Sequence, residues 1–157
     1  MNYIVTTTIQ PPTLATLKFS KIKDWQLLVV GDLKTNPRDY EYIDCLYLSP
    51  DEQSRKYPEL SEAIGWNCIQ RRNIGFVEAY RRGAEIIATV DDDNIPHENW
   101  GKNLLVGKKV EVDLYSGEIF DPLSVTNYPQ IWHRGYPIEL VNDRNPIYLG
   151  RIVRKVL

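Results

Sequence analysis

The chain has 157 residues, of which 43% are hydrophobic and 25% are charged, and its net charge is −2 with a pI near 5.7. These values are those of an ordinary globular domain with a hydrophobic core, and they provide no general attraction to nucleic acid. No run approaches the roughly 20 apolar residues of a membrane span. Cys45 and Cys68 have no CxxC spacing and no nearby His, which is typical of reduced, buried thiols in a cytosolic protein. We therefore expect a cytoplasmic protein whose partners include neither a membrane nor nucleic acid.

Strand-like and helix-like segments alternate along the first part of the chain. Runs of β-branched or apolar residues closed by Pro, Gly or Asp are typical of strands, whereas apolar residues at helical spacing indicate helices. The segments in chain order are a strand at Tyr3–Thr8, helical spacing from Leu14 to Ile22, a buried strand at Trp25–Val30 and a weaker strand at Ile43–Leu48.

Two helices are predicted in the middle of the chain. Ser49 can cap the first helix, Pro50 suits its first position, and Glu52 stands where a capping box places its acid. A longer helix is expected from about Asn67 to Arg82, because the glycine at position 83 is a typical helix terminator.

The remaining predicted elements follow this long helix. A buried strand at Glu85–Val90 leads directly into the acidic run Asp91-Asp92-Asp93. Beyond that run, the pattern predicts a helix at Glu98–Val106, a strand at Val110–Tyr115 and an irregular aromatic tract from Asp121 to Pro137.

Strands that alternate with helices predict an α/β fold, with a mainly parallel sheet flanked by helices on both faces. In such a sheet the carboxyl ends of the strands lie at one edge, and ligands bind there. Thr8, Asp32 and Asp91 each stand at the end of a predicted strand. We therefore expect these three residues to converge on one crevice although they are far apart in sequence.

The acidic run Asp91-Asp92-Asp93 is the sharpest functional signal. On an extended backbone alternate side chains share a face, so Asp91 and Asp93 would point one way and Asp92 the other. Adjacent carboxylates repel each other unless a cation neutralises them, and their hard oxygen atoms suit Mg²⁺ or Mn²⁺. The alternative is that the acidic residues cap the next helix, with Asn94 and Pro96 forming a turn.

The long helix before this strand carries a polar residue within an apolar stripe. Ile69, Asn73, Phe76 and Tyr80 share one face at helical spacing, and three of them suit a core. A buried amide needs hydrogen-bond partners. Asn73 is therefore either exposed near the start of the helix or bound to a specific group such as a loop backbone or a ribose.

Several arginines accompany this stripe. Arg72 lies beside it and could reach a phosphate or the edge of a base. Arg71, Arg81 and Arg82 are better explained as a solvated face of the helix.

Two further groups of polar residues are candidates for ligand binding. Thr8 offers a hydroxyl at the first strand end, and Asp32 could accept from a base or ribose, although threonine is common in strands and Asp32 could serve a turn. A loop with His133 and Arg134 could close over a phosphate or stack on a sugar, and such loop residues also occur without function. The signatures of phosphate loops, dinucleotide folds and serine hydrolases are absent.

The ordered set of motifs resembles GT-A glycosyltransferases. Arg72-Asn73-x-Gly75, followed by a strand ending in the Asp91–Asp93 run, resembles the nucleotide half of these enzymes. Three stretches are similar to the STELLO-type glycosyltransferase domain, namely Lys21–Gln26, Val30–Thr35 and Tyr47–Gln53. Two C-terminal stretches, Phe120–Pro122 and Arg134–Pro137, resemble reversibly glycosylated polypeptides, the UDP-arabinopyranose mutases.

This resemblance implies a GT-A fold, the Rossmann-like fold of nucleotide-diphospho-sugar transferases, in a compact or truncated form. It implies a single domain over residues 1–157, with a nucleotide-binding half at 1–95 and a donor- and acceptor-side remainder at 96–157. It also implies a nucleotide-sugar donor such as a UDP-sugar, a Mn²⁺ or Mg²⁺ cofactor, and a glycan or protein acceptor of unknown identity.

The resemblance also implies roles for individual residues. Asp93 would bind the metal, with Asp91 and His133 as further candidate ligands, and Asp91 or Asp92 would contact the ribose. Asp121 and Asp143 are candidates for a general base near the acceptor. The residues that would contact or support the nucleotide sugar are Thr8, Asp32, Arg72, Asn73, Asp91, Asp92 and Arg134.

Several functions stay open at this point. The first is a metal-dependent glycosyltransferase, and the alternatives are a sugar-nucleotide binding module without transfer activity and a UDP-sugar mutase. The mutases carry an arginine shortly after the Gly-Tyr-Pro tract, where this chain has Leu140-Val141 and then Arg144 further on. An Asp-dependent phosphatase ranks last, because its nucleophile would follow the first strand, where this chain has threonines.

Overall fold

The computed structural model describes residues 1–117 and 119–156. Within the chain, two compact units are distinguished, Met1–Lys102 and Asn103–Leu157. We refer to them as the first and the second unit. A single domain with halves at 1–95 and 96–157 stays a prediction.

The first unit is built on a four-stranded sheet in which every pairing is parallel. The order across the sheet is β3-β2-β1-β4, so the first strand lies inside the sheet and the last one lies at an edge. The prediction of a mainly parallel sheet is confirmed. The strands are β1 at Asn2–Thr8, β2 at Trp25–Gly31, β3 at Leu46–Leu48 and β4 at Ile86–Thr89.

Helices connect β1 to β2 and β3 to β4, as the sequence predicts, although the long helix expected from about Asn67 starts at Arg72. The capping box is confirmed, because the Ser49 side chain accepts from the Glu52 backbone while the Glu52 side chain accepts from the Ser49 backbone. None of the helices among the described residues has the length and apolar character needed to cross a membrane. The helices are α1 at Leu14–Phe19, α2 at Pro50–Lys56, α3 at Pro58–Ile64 and α4 at Arg72–Arg81, with short 3-10 turns at Pro37–Tyr40 and Ile69–Arg71.

Both faces of the sheet are covered, because alternate strand residues point to opposite sides. On one face, Val5 and Leu28 pack with residues of α4 such as Ile74. On the other face, Ile4 and Leu27 pack with α1 and neighbouring loops. Two layers of apolar burial therefore fix the sheet between helices, which agrees with the predicted α/β fold.

Helix α4 approaches the sheet through Gly75. A Cβ atom at this position would lie 2.4 Å from Cγ1 of Val5 and 2.8 Å from Cγ2 of Val30, so any larger residue would push the helix away. The predicted apolar stripe is wrong as a buried face, since Ile69 is 61% exposed and Tyr80 is 77% exposed. A stripe defined by apolar side chains leaves out Gly75. Because glycine has no side chain, the side of α4 that carries Gly75 lies closest to the sheet.

The predicted helix at Glu98–Val106 is wrong. This segment consists of turns and bends, and two of its residues have left-handed backbone conformations, Gly101 with φ 74° and Asn103 with φ 58°. Such conformations interrupt a helix. Gly101 is also held close to a strand residue, because a Cβ there would lie 2.9 Å from Nε1 of Trp25.

The second unit contains an antiparallel pair of strands. β5 spans Lys109–Ser116, in agreement with the predicted strand at Val110–Tyr115, and it pairs with β6 at Ile147–Lys155. The sequence did not indicate β6. Between the two strands, the aromatic tract forms loops and a short 3-10 turn at Pro122–Val125, as expected for an irregular segment, and a further 3-10 turn follows it at Ile138–Asp143.

Replacing Gly75 by Ala should lower the free energy of unfolding by about 1 to 3 kcal/mol, because the added methyl group overpacks the contact with β1 and β2. In an unconstrained helix the same change would stabilise by roughly 0.5 to 1 kcal/mol. Urea denaturation followed by circular dichroism measures the difference. Asn73→Ala, on the exposed side of the same helix, is the matched control, and a Gly75→Ala variant as stable as that control would contradict the close packing.

Candidate functional site

Two of the three polar residues predicted at strand ends line one cleft, together with Asp92. Thr8 ends β1, Asp32 follows β2 and Asp92 lies just beyond β4, and they surround a cavity of about 240 Å³ at the carboxyl edge of the sheet. We call this cavity the carboxyl-edge cleft. It is lined by Thr7, Thr8, Ile9, Asp32, Asn67, Cys68, Ile69 and Asp92. The expected convergence occurs, with Asp92 rather than Asp91 as the residue from the acidic run.

Hydrogen bonds fix the ends of β1 and β2 to each other. Oγ1 of Thr35 donates to the carbonyl oxygen of Thr8 at 2.7 Å, and it accepts from the backbone N–H of Asp32 at 3.0 Å. The backbone N–H of Leu33 donates to Oδ1 of Asp32 at 2.7 Å. Asp32 is only 1% exposed and yet lines the cleft, so its carboxylate is held in place with little contact with solvent.

Asp92 faces the neighbouring strand end. One of its carboxylate oxygens accepts from the Thr8 hydroxyl, and its backbone carbonyl accepts from the Thr13 hydroxyl. Asp92 points away from Asp91, as alternation of side chains predicts, because Asp92 binds Thr8 whereas Asp91 binds Arg72. A shared face for Asp91 and Asp93 stays a prediction. The extended backbone ends before Asp92, because residues 92 and 93 lie in a turn.

Asp91 is paired at the start of α4. Nη2 of Arg72 donates to Oδ1 of Asp91 at 2.5 Å, and Nη1 of Arg72 donates to Oγ1 of Thr89 at 3.0 Å. The amide of Asn94 donates to Oδ2 of Asp91 at 3.3 Å. Arg72 therefore ties the start of the helix to the end of β4, while its Nε is buried without a hydrogen-bond partner among the described residues.

Two other predicted site residues of the first unit are open to solvent. Asp93 is exposed in the turn after β4, and no hydrogen bond or ion pair involves its side chain within residues 1–117 and 119–156. Asn73 is exposed on the outer side of α4, which agrees with the first of the two options for this residue.

Arg71 is a supporting residue that the sequence analysis misjudged. The prediction of a solvated face is wrong for Arg71, which is completely buried, although Arg81 and Arg82 are exposed as expected. Its guanidinium lies 3.7 Å from the centre of the Trp66 ring. Burial lowers the pKa of Arg71, while the negative charge of Asp32 acts in the opposite direction.

Arg71 holds the elements behind the cleft through Gln53. Nε of Arg71 donates to Oε1 of Gln53 at 3.1 Å, and Nη1 donates to the carbonyl oxygens of Ser61 and Gly65 at 3.1 and 3.2 Å. The amide of Gln53 in turn donates to the carbonyl oxygen of Gly31, which precedes Asp32, at 2.7 Å. Gln53 is buried in an otherwise polar helix, and no sequence pattern indicated its burial.

The second unit contains the other predicted candidates. Asp121 is buried, and its Oδ2 accepts from Nη1 of Arg144 at 2.6 Å. Its Oδ1 accepts from the backbone N–H groups of Leu123 and His133 at 3.0 and 3.3 Å. Burial alone would raise the pKa of Asp121, but the hydrogen bonds and the charge of Arg144 outweigh it and hold the pKa below its usual value.

These contacts give Asp121 a structural role, and its role as a general base stays a prediction. Asp143 is exposed and lines a cavity of about 230 Å³ together with Asp121 and Arg144. His133 and Arg134 are both exposed, in the loop between the 3-10 turns at Pro122–Val125 and Ile138–Asp143. Their roles toward metal and sugar phosphate stay predictions as well.

The described residues contain no group of three His, Cys, Asp or Glu side chains arranged to hold a metal ion by themselves. A cation at the acidic run would therefore take most of its ligands from elsewhere. Phosphate oxygens and water are the usual additional ligands of Mg²⁺, which is commonly bound through only one or two carboxylates.

Comparison with known proteins supports a relationship to glycosyltransferases. No family model matches the chain. The chain is 27% identical over 156 residues to two proteins of Arabidopsis thaliana, Probable glycosyltransferase STELLO2 and Probable glycosyltransferase STELLO1. Each match covers 92% of this chain and 20% of the relative, so the chain spans about a fifth of the length of these curated relatives.

Replacing Arg71 by Met should lower the free energy of unfolding by about 3 kcal/mol or more, because several buried acceptors lose their donor together. Urea denaturation of the full chain measures the loss. Arg55→Met, at an exposed arginine of α2, is the matched control and should change stability by less than about 0.5 kcal/mol. A loss below about 1 kcal/mol for Arg71→Met would contradict the supporting role of this network.

The contribution of Asp121 to stability should depend on pH. Its folded pKa lies below the ordinary value of 3.8, so folding favours the ionised form and the contribution is complete above that value. As the pH falls from 3.8 through the folded pKa, the contribution is lost. Urea unfolding at several pH values measures this effect. The free energy of unfolding of wild type should exceed that of Asp121→Asn near neutral pH, and the two values should converge in acid. A difference that stays constant throughout would contradict the assignment.

Proposed function

We propose, from the relationship to the two STELLO proteins, that this chain is the nucleotide-binding part of a metal-dependent GT-A-type glycosyltransferase. Its donor is a nucleotide sugar, and a UDP-sugar is our first choice. The nucleoside would occupy the carboxyl-edge cleft, and a divalent cation at the acidic run would bind the diphosphate. A glycan or a protein would then serve as acceptor.

The observation that carries this proposal is the buried carboxylate of Asp32 in the cleft. A carboxylate that lines a cavity and is nearly shielded from water favours a ligand with hydrogen-bond donors. The N–H group of a uracil base and the hydroxyls of a ribose are such donors. Asp92 supplies a second acceptor on the opposite side of the cleft, next to the Thr8 hydroxyl.

The charge of the cleft supports the need for a cation. Its lining includes two aspartates and no lysine or arginine, so a diphosphate would meet negative charge there. The exposed oxygen atoms of Asp93 are of the type that Mn²⁺ and Mg²⁺ accept, and they are the ligands we assign to the ion, with Asp91 joining them if it leaves Arg72. When bound, the ion would stabilise the negative charge that develops on the departing nucleotide.

The protein's own residues would bind and orient the donor. Asp32 and Asp92 would hold the nucleoside, and the buried network behind Asp32 would keep that carboxylate in position. Arg72 and Asn73 would support the site from the start of α4. Of the two candidates for a general base, Asp143 is exposed and so fits the role better than Asp121, which is engaged by Arg144.

Calorimetric titration of UDP and of uridine, each with and without Mn²⁺, tests the proposal. Asp93→Ala should weaken UDP binding in Mn²⁺ at least about tenfold and leave uridine unchanged, because only UDP carries the diphosphate. Asp32→Asn should weaken both ligands, by roughly tenfold for one hydrogen bond to a charged group. Asp44→Ala removes another exposed aspartate of the first unit and should leave both affinities unchanged.

Several outcomes decide between the functions considered. Binding of neither UDP nor GDP to the wild type would reject the nucleotide-sugar proposal, and the acidic run would revert to a turn. Binding without hydrolysis or transfer across a panel of UDP-sugars would favour the non-catalytic binding module. Interconversion of UDP-sugars without an acceptor would favour the mutase.

A further inference from the structure

A second and larger cleft lies in the first unit, at the other end of the strands. It is lined by Asn2 and Trp25, the first residues of β1 and β2, and has a volume of about 750 Å³. We call it the amino-edge cleft. β1 is seven residues long, which separates this cleft from the carboxyl edge by about 20 Å. The proposed nucleotide site therefore does not use it.

Four lysines surround the amino-edge cleft, and none forms an ion pair within the described residues. All four are exposed, so their charges are available to a ligand. They are Lys18, Lys21, Lys23 and Lys102. Such a concentration of positive charge is notable in a chain with a net charge of −2, and it indicates an anionic ligand.

Two tryptophans provide an aromatic wall for the same cleft. Trp25 and Trp100 are half-buried and in edge contact with each other, with ring centres 5.1 Å apart. Trp100 also contacts the buried ring of Phe19 at 5.1 Å, so the wall is anchored in the core. Rigid aromatic surfaces with polar groups around them are typical of ligand sites, and the volume lies within the usual range of about 300 to 1,000 Å³.

The remaining polar groups favour a ligand rich in hydroxyls. Asp24 and Glu98 also line the cleft, and they can accept hydrogen bonds from hydroxyl groups. The Oδ1 atom of Asn2, which also lines the cleft, is buried and accepts no hydrogen bond from the described residues.

We propose that the amino-edge cleft binds an acidic oligosaccharide, a chain of sugar rings that carry carboxylates. The tryptophans would stack on the ring faces, the lysines would pair with the sugar carboxylates, and the acidic side chains would accept from the hydroxyls. The choice of a sugar as the ligand rests on the proposed glycosyltransferase function. The cleft and its positive charge are observed in the structure and do not depend on that function. The site would anchor a glycan on the face away from the donor.

NMR titration of the full chain with trigalacturonic acid tests this proposal. The acid should shift the indole N–H signals of Trp25 and Trp100 and leave those of Trp66 and Trp132 in place. Trp→Phe variants at positions 25 and 100 assign the two shifted signals. The fully methyl-esterified trisaccharide has the same rings without charge and should bind at least about tenfold more weakly. A tenfold ratio corresponds to about 1.4 kcal/mol, which three exposed ion pairs together can supply.

Matched lysine variants separate a local site from a general effect of charge. Lys21, Lys23 and Lys102 changed together to Gln should weaken binding of trigalacturonic acid at least tenfold. The same change at Lys108, Lys109 and Lys155, all exposed in the second unit, removes an equal charge and should leave binding unchanged. Equal weakening by both sets would overturn the proposal.

Other outcomes would also overturn it. These are equal binding of the acid and its ester, tighter binding of hexathymidylate than of the acid, and no binding of the acid at all. UDP titration on the same samples keeps the two proposals distinguishable. A lysine variant that binds UDP normally but no longer binds trigalacturonic acid would support the amino-edge site. Wild type that binds UDP normally but does not bind the acid would reject this site and leave the nucleotide-sugar proposal intact.

Discussion

The buried guanidinium of Arg71 is the interaction on which the first unit depends. Removing a cation from water costs several kcal/mol, and here hydrogen bonds to Gln53 and to the carbonyl oxygens of Ser61 in α3 and of Gly65 just after it offset that cost. Since Gln53 also donates to the ends of β2 and β3, one network joins α2, α3 and the 3-10 turn before α4 to two strands. The positive charge of Arg71 also favours the burial of Asp32, so the acceptor at the cleft and its support are electrostatically coupled.

The two clefts give the opposite ends of one sheet different chemistry. In a parallel sheet all strands begin at one edge and end at the other, so residues that start strands and residues that end strands form separate surfaces. In this chain the ends carry aspartates and threonines, whereas the beginnings carry tryptophan and adjoin lysines. A single topology thus places a cleft lined by aspartates at one edge of the sheet and a cleft lined by lysines at the other, and we propose ligands of opposite charge for them.

The parts of the fold that rest on local patterns could be predicted from the sequence. The strands β1 and β2, the capping box of α2 and the convergence of strand ends all follow from periodicity, caps and topology. Long-range contacts could not be predicted in this way. Arg71 resembles a surface residue in the sequence because its acceptors, on Gln53, Ser61 and Gly65, come from other elements. The contact of Asp92 with Thr8 likewise depends on the pairing of β4 with β1.

The place of β4 at the edge of the sheet affects how the acidic run can move. β1 pairs on both of its sides, whereas β4 pairs over four residues with β1 alone among the described strands. Local opening costs least where few backbone hydrogen bonds must break. The carboxylates after β4 therefore follow a strand held on one side, whereas Asp32 follows β2, which pairs on both sides. One wall of the cleft is rigid and the other can adjust to the ligand that enters.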